Sequence, residues 1–117
     1  MNSYKDLIVW QKSIQLVVKT YRYTELFPKT ETYGLISQMR RAAVSIPSNI
    51  AEGRRRFGIR QYIRFLNIAY ASGAELETQL EISNRLGYGN IQARQESQAL
   101  LEEVMKMLNI MMIALSK

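Results

Sequence analysis

The chain has 117 residues, of which 47% are hydrophobic, and its formal charge is +6. A chain of this length and composition can bury one core, so residues 1–117 are predicted to form a single domain. It contains no cysteine and no histidine, which excludes disulfides, thiolate metal sites and the commonest general base at neutral pH. We therefore predict no metal, no other cofactor, no small-molecule substrate and no enzymatic activity.

The positive charge is concentrated in the first part of the chain. Residues 1–64 hold twelve Lys and Arg against four Asp and Glu, whereas residues 65–117 hold four against six. A local excess of this kind attracts a polyanion. Lys5 and Asp6 stand where a signal peptide would become apolar, and the longest apolar run, 110–115, is far shorter than the roughly 20 residues of a membrane span. We expect a cytoplasmic protein without a membrane segment.

The first helix is predicted over residues 4–26. Ser3 and Asp6 have the spacing of a capping box at its start, and Pro28 disfavours helical geometry in the residue before it. Its apolar seam, in alternating steps of three and four, consists of Leu7, Trp10, Ile14, Val17 and Tyr21, with Val9, Leu16 and Tyr23 widening the face.

The second helix is predicted over residues 31–55, capped by Thr30 or Thr32. Apolar residues keep one phase on both sides of Pro47, so we expect a kink there rather than an end. That apolar face consists of Ile36, Met39, Ala43, Ile46 and Ile50. Gly53 is interpreted as a C-cap or helix breaker, and Gly58 as part of the following loop.

The third helix is predicted over residues 59–86. Small residues between 69 and 74 indicate a close helix contact, because a glycine in mid-helix costs about 1 kcal/mol unless packing compensates. The small face of the second helix is the expected neighbour. Gly87 to Asn90 form the clearest turn, with Asn90 placed to cap the next helix.

The fourth helix is predicted over residues 91–115, which completes an all-α, antiparallel up-down-up-down four-helix bundle. It carries two adjacent apolar stripes, although a surface helix needs only one. The second stripe either widens the core contact or meets another subunit. The residues assigned to a homo-oligomer interface are Leu101, Met105, Leu108 and Met112.

Two charged groups are candidates for function. Glu52, Glu75, Glu77 and Glu81 suggest a carboxylate cluster, but without histidine we favour a structural role in which Glu75 or Glu77 pairs with Arg40 or Arg41. The stronger candidate is the arginine corner, defined as Arg54, Arg55, Arg56, Arg60 and Arg64. No acid lies between residues 54 and 64, and guanidinium groups bind phosphate bidentately and stack on bases. The alternative is a merely solvated corner.

Six short segments also carry a resemblance to a known family. They are SIPSNIAEG at 45–53 with QMRRAA at 38–43, DLIVW at 6–10 with FPK at 27–29, FL and IA at 65–69, and ELETQL at 75–80. In these segments the sequence resembles the four-helix bundle proteins encoded by intervening sequences in bacterial 23S ribosomal RNA genes. The resemblance implies a barrel-shaped homopentamer and provides no catalytic residues.

A branch related to that family, the accessory proteins of diversity-generating retroelements, is basic, binds nucleic acid and partners a reverse transcriptase. This chain resembles the ribosomal branch in length and sequence, so the retroelement role is the less favoured of the two. The leading hypothesis is a non-catalytic oligomer that binds nucleic acid through the arginine corner, with RNA favoured because the family is encoded in ribosomal RNA genes. The alternative is a structural or scaffolding homo-oligomer that binds a protein partner such as a reverse transcriptase.

Overall fold

The computed structural model describes residues 3–117, so Met1 and Asn2 lie outside the described residues. Four long helices contain most of this range: α1 (Ile8–Thr24), α2 (Leu35–Arg55), α3 (Ile59–Leu86) and α4 (Ile91–Leu115). Short 3-10 helices occupy Tyr4–Asp6 and Lys29–Glu31, and residues 3–117 contain no strand. The predicted all-α class and the four helices are confirmed.

The helices pack as an antiparallel bundle measuring 44 × 23 × 22 Å. The backbones of α1 and α2, α2 and α3, α3 and α4, and α4 and α1 lie side by side, whereas in the described chain neither diagonal pair brings its backbones within 8 Å between Cα atoms. Each connection is short, so successive helices run in opposite directions. This is the up-down-up-down order that the sequence predicted.

The first helix begins later than predicted. The capping box forms, with the Ser3 hydroxyl accepting from the Lys5 amide at 2.9 Å and the Asp6 carboxylate accepting from the Ser3 amide at 3.2 Å. The capping box caps only the short 3-10 helix and not α1, because Leu7 between them is extended, with ψ at 127°. The α-helical hydrogen bonds then start anew at Ile8, which leaves Tyr4 on a separate turn beside α2.

The apolar seam predicted for α1 is wrong for Ile14 and Tyr21, whereas Val9, Leu16 and Tyr23, which were predicted to widen that face, are confirmed as buried. The most deeply buried positions of α1 are Val9, Ser13, Leu16, Thr20 and Tyr23, whereas Ile14 and Tyr21 are 37% and 39% exposed. The hydroxyl of Ser13 donates to the Trp10 carbonyl, and that of Thr20 to the Leu16 carbonyl. These bonds satisfy the hydroxyls within the helix, so polar residues can occupy the core face. A search for apolar periodicity does not assign such polar positions to the core.

The start of α2 also differs from the prediction. Neither Thr30 nor Thr32 caps it: the N-cap is Gly34, and a carboxylate oxygen of Glu31 accepts from the Leu35 amide at 3.1 Å. The other oxygen accepts from the Tyr88 hydroxyl at 3.1 Å. One side chain therefore caps α2 and ties it to the α3–α4 turn. That turn matches the prediction, with Asn90 accepting from the Ala93 amide at 2.9 Å.

The small residues of α3 serve two neighbours rather than one. Ser72 meets Ser45 of α2 through their hydroxyl oxygens at 2.7 Å, as the predicted contact with the second helix requires. Gly73, in contrast, faces α4, where a Cβ atom would collide with the sulfur of Met105. The small-residue segment therefore allows close approach on both sides of α3.

The predicted pairing of Arg40 or Arg41 with Glu75 or Glu77 is wrong, because none of these pairs is among the ion pairs within residues 3–117. The Arg40 Nε donates to the Thr24 hydroxyl at 2.9 Å, and its guanidinium lies 4.4 Å from the centre of the Tyr21 ring. Arg40 thus fixes the end of α1 against α2. The ion pairs that join different helices within residues 3–117 instead link α1 to α4, through Lys12 with Glu103 and Lys19 with Glu96.

Part of the predicted oligomer interface lies inside the protomer. Leu101 is 1% exposed and Leu108 is fully buried, beside Val104 in the bundle core. Neither side chain can meet a second copy, so the prediction is wrong for these two residues. Met105 and Met112 are partly exposed, and their contact with another subunit stays a prediction.

Three tyrosines make the folded chain sensitive to alkaline pH. Burial raises the pKa of Tyr23 and Tyr62, and the hydrogen bond to Glu31 raises the pKa of Tyr88. Each folded-state pKa lies above the unfolded value of about 10.0. The folded chain thus holds these protons more tightly, so their contribution is complete below pH 10 and is lost as pH rises through the folded-state pKa values.

We therefore expect the free energy of unfolding to fall as pH rises above about 10. Urea unfolding at a series of pH values checks this. Tyr23→Phe should reduce the alkaline slope, and at neutral pH it should cost about 1 kcal/mol, because the phenol lies 2.7 Å from the Ser83 hydroxyl. The same slope in the variant as in the wild type would contradict this assignment.

Candidate nucleic-acid interface

The arginine corner lies at the end of the bundle where α2 ends and α3 begins. Arg54 and Arg55 form the last turn of α2, and Arg60 and Arg64 lie four residues apart in the first turns of α3. All five side chains of the corner are exposed. The structure therefore brings together every arginine that the sequence assigned to this site.

A three-residue connection, 56–58, holds the two halves of the corner close to each other. Arg56 is extended and its amide closes α2 on the Gly53 carbonyl at 3.2 Å. Gly58 has φ at +88°, a conformation that residues with a side chain rarely adopt. The chain reverses sharply here, so the arginines of α2 and α3 cannot separate.

Gly53 lies inside α2 and is buried, so its interpretation as a C-cap or breaker is wrong. A Cβ atom there would lie 2.7 Å from the Phe65 Cβ and 3.3 Å from the Tyr62 carbonyl oxygen. The residue is a glycine because α3 approaches the α2 backbone directly below the arginines. Burial beside it raises the pKa of Tyr62, and the nearby charge of Arg54 partly offsets this rise.

Gly53→Ala should therefore destabilise the protein. The substitution gains about 1 kcal/mol of helix propensity, but overpacking costs about 1–3 kcal/mol, and the Phe65 Cβ is anchored to backbone and cannot rotate away. We expect a lower melting temperature in thermal unfolding. Ala71→Gly, at an exposed position of α3, measures the propensity contribution alone. A melting temperature that rises in Gly53→Ala would show that the two helices separate at little cost.

Aromatic rings support several of the guanidinium groups. Arg55 lies over the Tyr4 ring at 5.4 Å, and Arg56 and Arg64 lie over the Phe65 ring at 5.0 and 5.9 Å. Cation–π contacts of this kind hold a long side chain in place while its N–H groups remain free to bind anions. The corner is thus a partly ordered array of donors.

One acidic residue from outside the run 54–64 contacts the arginine corner. Glu52 lies one helical turn before Arg56, and the two side chains pair at 2.8 Å. The other four arginines form no ion pair with any residue in 3–117: Arg54, Arg55, Arg60 and Arg64. Arg56 is therefore partly neutralised, and these four carry most of the charge available to a ligand.

Shallow clefts beside α2 extend the corner toward the start of the chain. One has a volume of about 310 Å³ and is lined by Ser3, Tyr4, Arg54 and Arg55. Sequence reasoning missed Ser3 and Tyr4 as neighbours of the arginines, because nothing in the local pattern shows that the first turn folds back onto α2. Two guanidiniums at the wall of an open cleft can bind the oxygens of a phosphate group.

The carboxylates Glu52, Glu75, Glu77 and Glu81 do not form a metal-binding cluster, because no group of three or more acidic side chains in residues 3–117 is arranged to hold a metal ion. Within the same range, no helix combines the length and the apolar character that crossing a bilayer requires.

A second surface lies between α1 and α4, on the side of the bundle that these two helices share. This α1–α4 groove has a volume of about 560 Å³ and is lined mainly by Leu7, Ile8, Met107, Ile110 and Met111. Ile8 and Ile110 are 59% and 65% exposed. In this groove the exposed apolar surface of α4 includes Ile110, not the buried leucines predicted for the interface.

The fold and the corner together define an all-α bundle protein with a cationic end. The chain belongs to the family of 23S rRNA-intervening sequence proteins, whose pattern matches residues 5–110. The resemblance noted in the sequence is thereby confirmed. A comparison with curated proteins gives no match to this chain.

One solved structure shows the same fold. It is a crystal structure of a protein with unknown function from the S23 ribosomal protein family of Bacteroides thetaiotaomicron. The two chains are 24% identical, the match covers 90% of this chain and 98% of the other, and the TM-score is 0.79. The four-helix architecture is therefore shared at low sequence identity.

Proposed function

We propose that this protein is a non-catalytic, cytoplasmic homo-oligomer that binds nucleic acid through the arginine corner. The observation that carries the proposal is the exposure of Arg54, Arg55, Arg60 and Arg64 at one end of the bundle, without an ion-pair partner among residues 3–117. Unpaired guanidiniums held on rigid helices suit the phosphates of a polyanion.

RNA is favoured over DNA, because the family resemblance places the coding region of such proteins within 23S ribosomal RNA genes. Oligomerisation would strengthen binding to a nucleic-acid strand. A cyclic assembly, a pentamer by that resemblance, would repeat the corner around one rim. Weak contacts from several protomers to one strand would then add through effective concentration.

Fluorescence anisotropy with a labelled single-stranded RNA of about 12 nucleotides tests the proposal. Each neutralised phosphate contributes about 0.7 to the logarithmic salt slope of single-strand binding. Four unpaired arginines predict a slope of about 3 for each protomer engaged. Binding that ignores salt between roughly 50 and 200 mM, or no binding at all, would contradict it.

A structural or scaffolding oligomer that binds a protein partner is the second candidate. The α1–α4 groove favours it, because apolar side chains such as Ile8 and Ile110 remain open to solvent and such surfaces mark protein contacts. In that case the arginine corner would only solubilise the assembly. RNA binding that is absent or insensitive to salt, together with a stable oligomer in light scattering, would favour this candidate.

A further inference from the structure

The connection between α2 and α3 exposes an aromatic ring among the arginines. Phe57 is 97% exposed, more than any other large hydrophobic side chain in the described chain, and Ile59, two residues later, is 57% exposed. A single exposed apolar residue is ordinary on a protein surface. The position of Phe57 indicates a role in binding, because Phe57 directly follows Arg55 and Arg56 and precedes Arg60 by three residues.

Both faces of the Phe57 ring are open. The other two aromatic rings of the corner, Tyr4 and Phe65, each lie under at least one guanidinium group. Phe57 has no such contact and stacks on no other ring within residues 3–117. The positive φ of Gly58 and the short reversal hold the ring at the end of the bundle, away from the core.

We propose that Phe57 is a base-stacking platform, so that the arginine corner selects single-stranded over double-stranded nucleic acid. This inference rests on the proposed function of the corner. In a duplex the faces of the bases are already covered by their neighbours, whereas an unpaired base offers a free face to an aromatic ring. The flanking guanidiniums would hold the phosphates of the nucleotide whose base stacks on the ring.

The test compares two single strands that differ only in their bases, together with a duplex. We would measure binding of a labelled single strand of about 12 nucleotides, an abasic strand with the same number of phosphates, and a duplex of the same length. Because base stacking on an aromatic side chain is worth about 1–3 kcal/mol, the wild-type protein should prefer the base-containing strand by roughly 5- to 150-fold. It should also prefer that strand over the duplex.

Two substitutions of Phe57 distinguish the contribution of an aromatic face from that of an apolar side chain. Phe57→Leu keeps an apolar side chain without an aromatic face and should lose most of the preference, leaving affinity for the abasic strand unchanged. Phe57→Trp keeps an aromatic face and should retain the preference. Phe57 is exposed, so neither substitution should alter helix content in circular dichroism.

The outcomes separate the two proposals. Equal, salt-dependent binding to the base-containing and abasic strands would overturn the stacking platform while leaving the arginine corner intact. Preferential binding of the duplex through the ring would also overturn it and would identify Phe57 as a wedge between base pairs. A change of oligomer size in Phe57→Leu, measured by light scattering, would show that another subunit covers the ring. If neither strand binds in a salt-dependent manner, the proposed function itself fails.

Discussion

Replacing Arg55, Arg56 and Arg60 with glutamate should abolish nucleic-acid binding while leaving the bundle folded. The three side chains are exposed at the junction of α2 and α3, so their removal leaves no hole in the core. Charge reversal turns phosphate contacts into repulsion. In fluorescence anisotropy we expect affinity for single-stranded RNA to fall at least about 100-fold. The salt slope should fall by about 1.4 for each protomer engaged, because Arg55 and Arg60 are two of the four unpaired arginines.

Single substitutions should rank the three arginines. Arg56 is already paired with Glu52 at 2.8 Å, so Arg56→Glu should weaken binding less than Arg55→Glu or Arg60→Glu. Loss of backbone contacts should weaken all RNA sequences to a similar extent, because phosphates carry no sequence information.

A matched control keeps the same change in net charge but moves it away from the corner. Arg22, Lys29 and Arg41 are exposed and lie outside the α2–α3 junction. Their replacement with glutamate should lower affinity much less if the corner is the site. Equal losses in the two triple variants would show that only net charge matters. Undiminished affinity in the corner variant would leave the arginines as a solvated surface.

Leu108→Lys should unfold the protein instead of merely dissociating an assembly. Leu108 is fully buried in α4, in the core cluster that also contains Val104. Burying an unpaired ammonium group costs several kcal/mol, which is a large share of the about 5–15 kcal/mol that stabilises a domain. The milder Leu108→Ala should lower the free energy of unfolding by about 2–5 kcal/mol, measured by urea titration.

The control is a substitution on the exposed side of the same helix. Ile110 is 65% exposed in the α1–α4 groove, so Ile110→Lys should change the free energy of unfolding by no more than about 0.5 kcal/mol in a monomer. If the groove is the subunit interface, this variant should dissociate the oligomer in light scattering. A Leu108→Lys protein that stays folded and becomes monomeric would contradict the burial of Leu108 and restore the original interface.

The helices were predictable because their signals are local. Glycine at the α3–α4 turn, Asn90 as a cap and the apolar phase on both sides of Pro47 all act through neighbouring residues, and the starts of α3 and α4 match the predictions. The starts of α1 and α2 differ from the predictions because neither helix is capped by the side chain of the residue at its N-cap position. Leu7 interrupts the first helix, and Glu31 caps the second from four residues away.

The candidate site was predictable only in part. A run of arginines without acids is visible in the sequence, and the helix ends that carry it follow from Gly58 and its neighbours. Three features of the site were missed: the partner Glu52, the supporting ring of Tyr4 and the open ring of Phe57. An i to i+4 helical spacing would have shown Glu52 beside Arg56, whereas the exposure of Phe57 has no signal in the sequence.

By itself the sequence determined the all-α class, the number of helices, the cationic end and the family, because composition, periodicity and short motifs depend on residues close together in the chain. Only the tertiary structure decided which apolar stripe of α4 is core, which carboxylate meets which arginine, and why residue 53 is a glycine. These depend on the rotation of each helix about its axis and on the closeness of its neighbours. Local hydrogen bonds allow Ser13 and Thr20 to face the core, so apolar spacing alone could not fix that rotation.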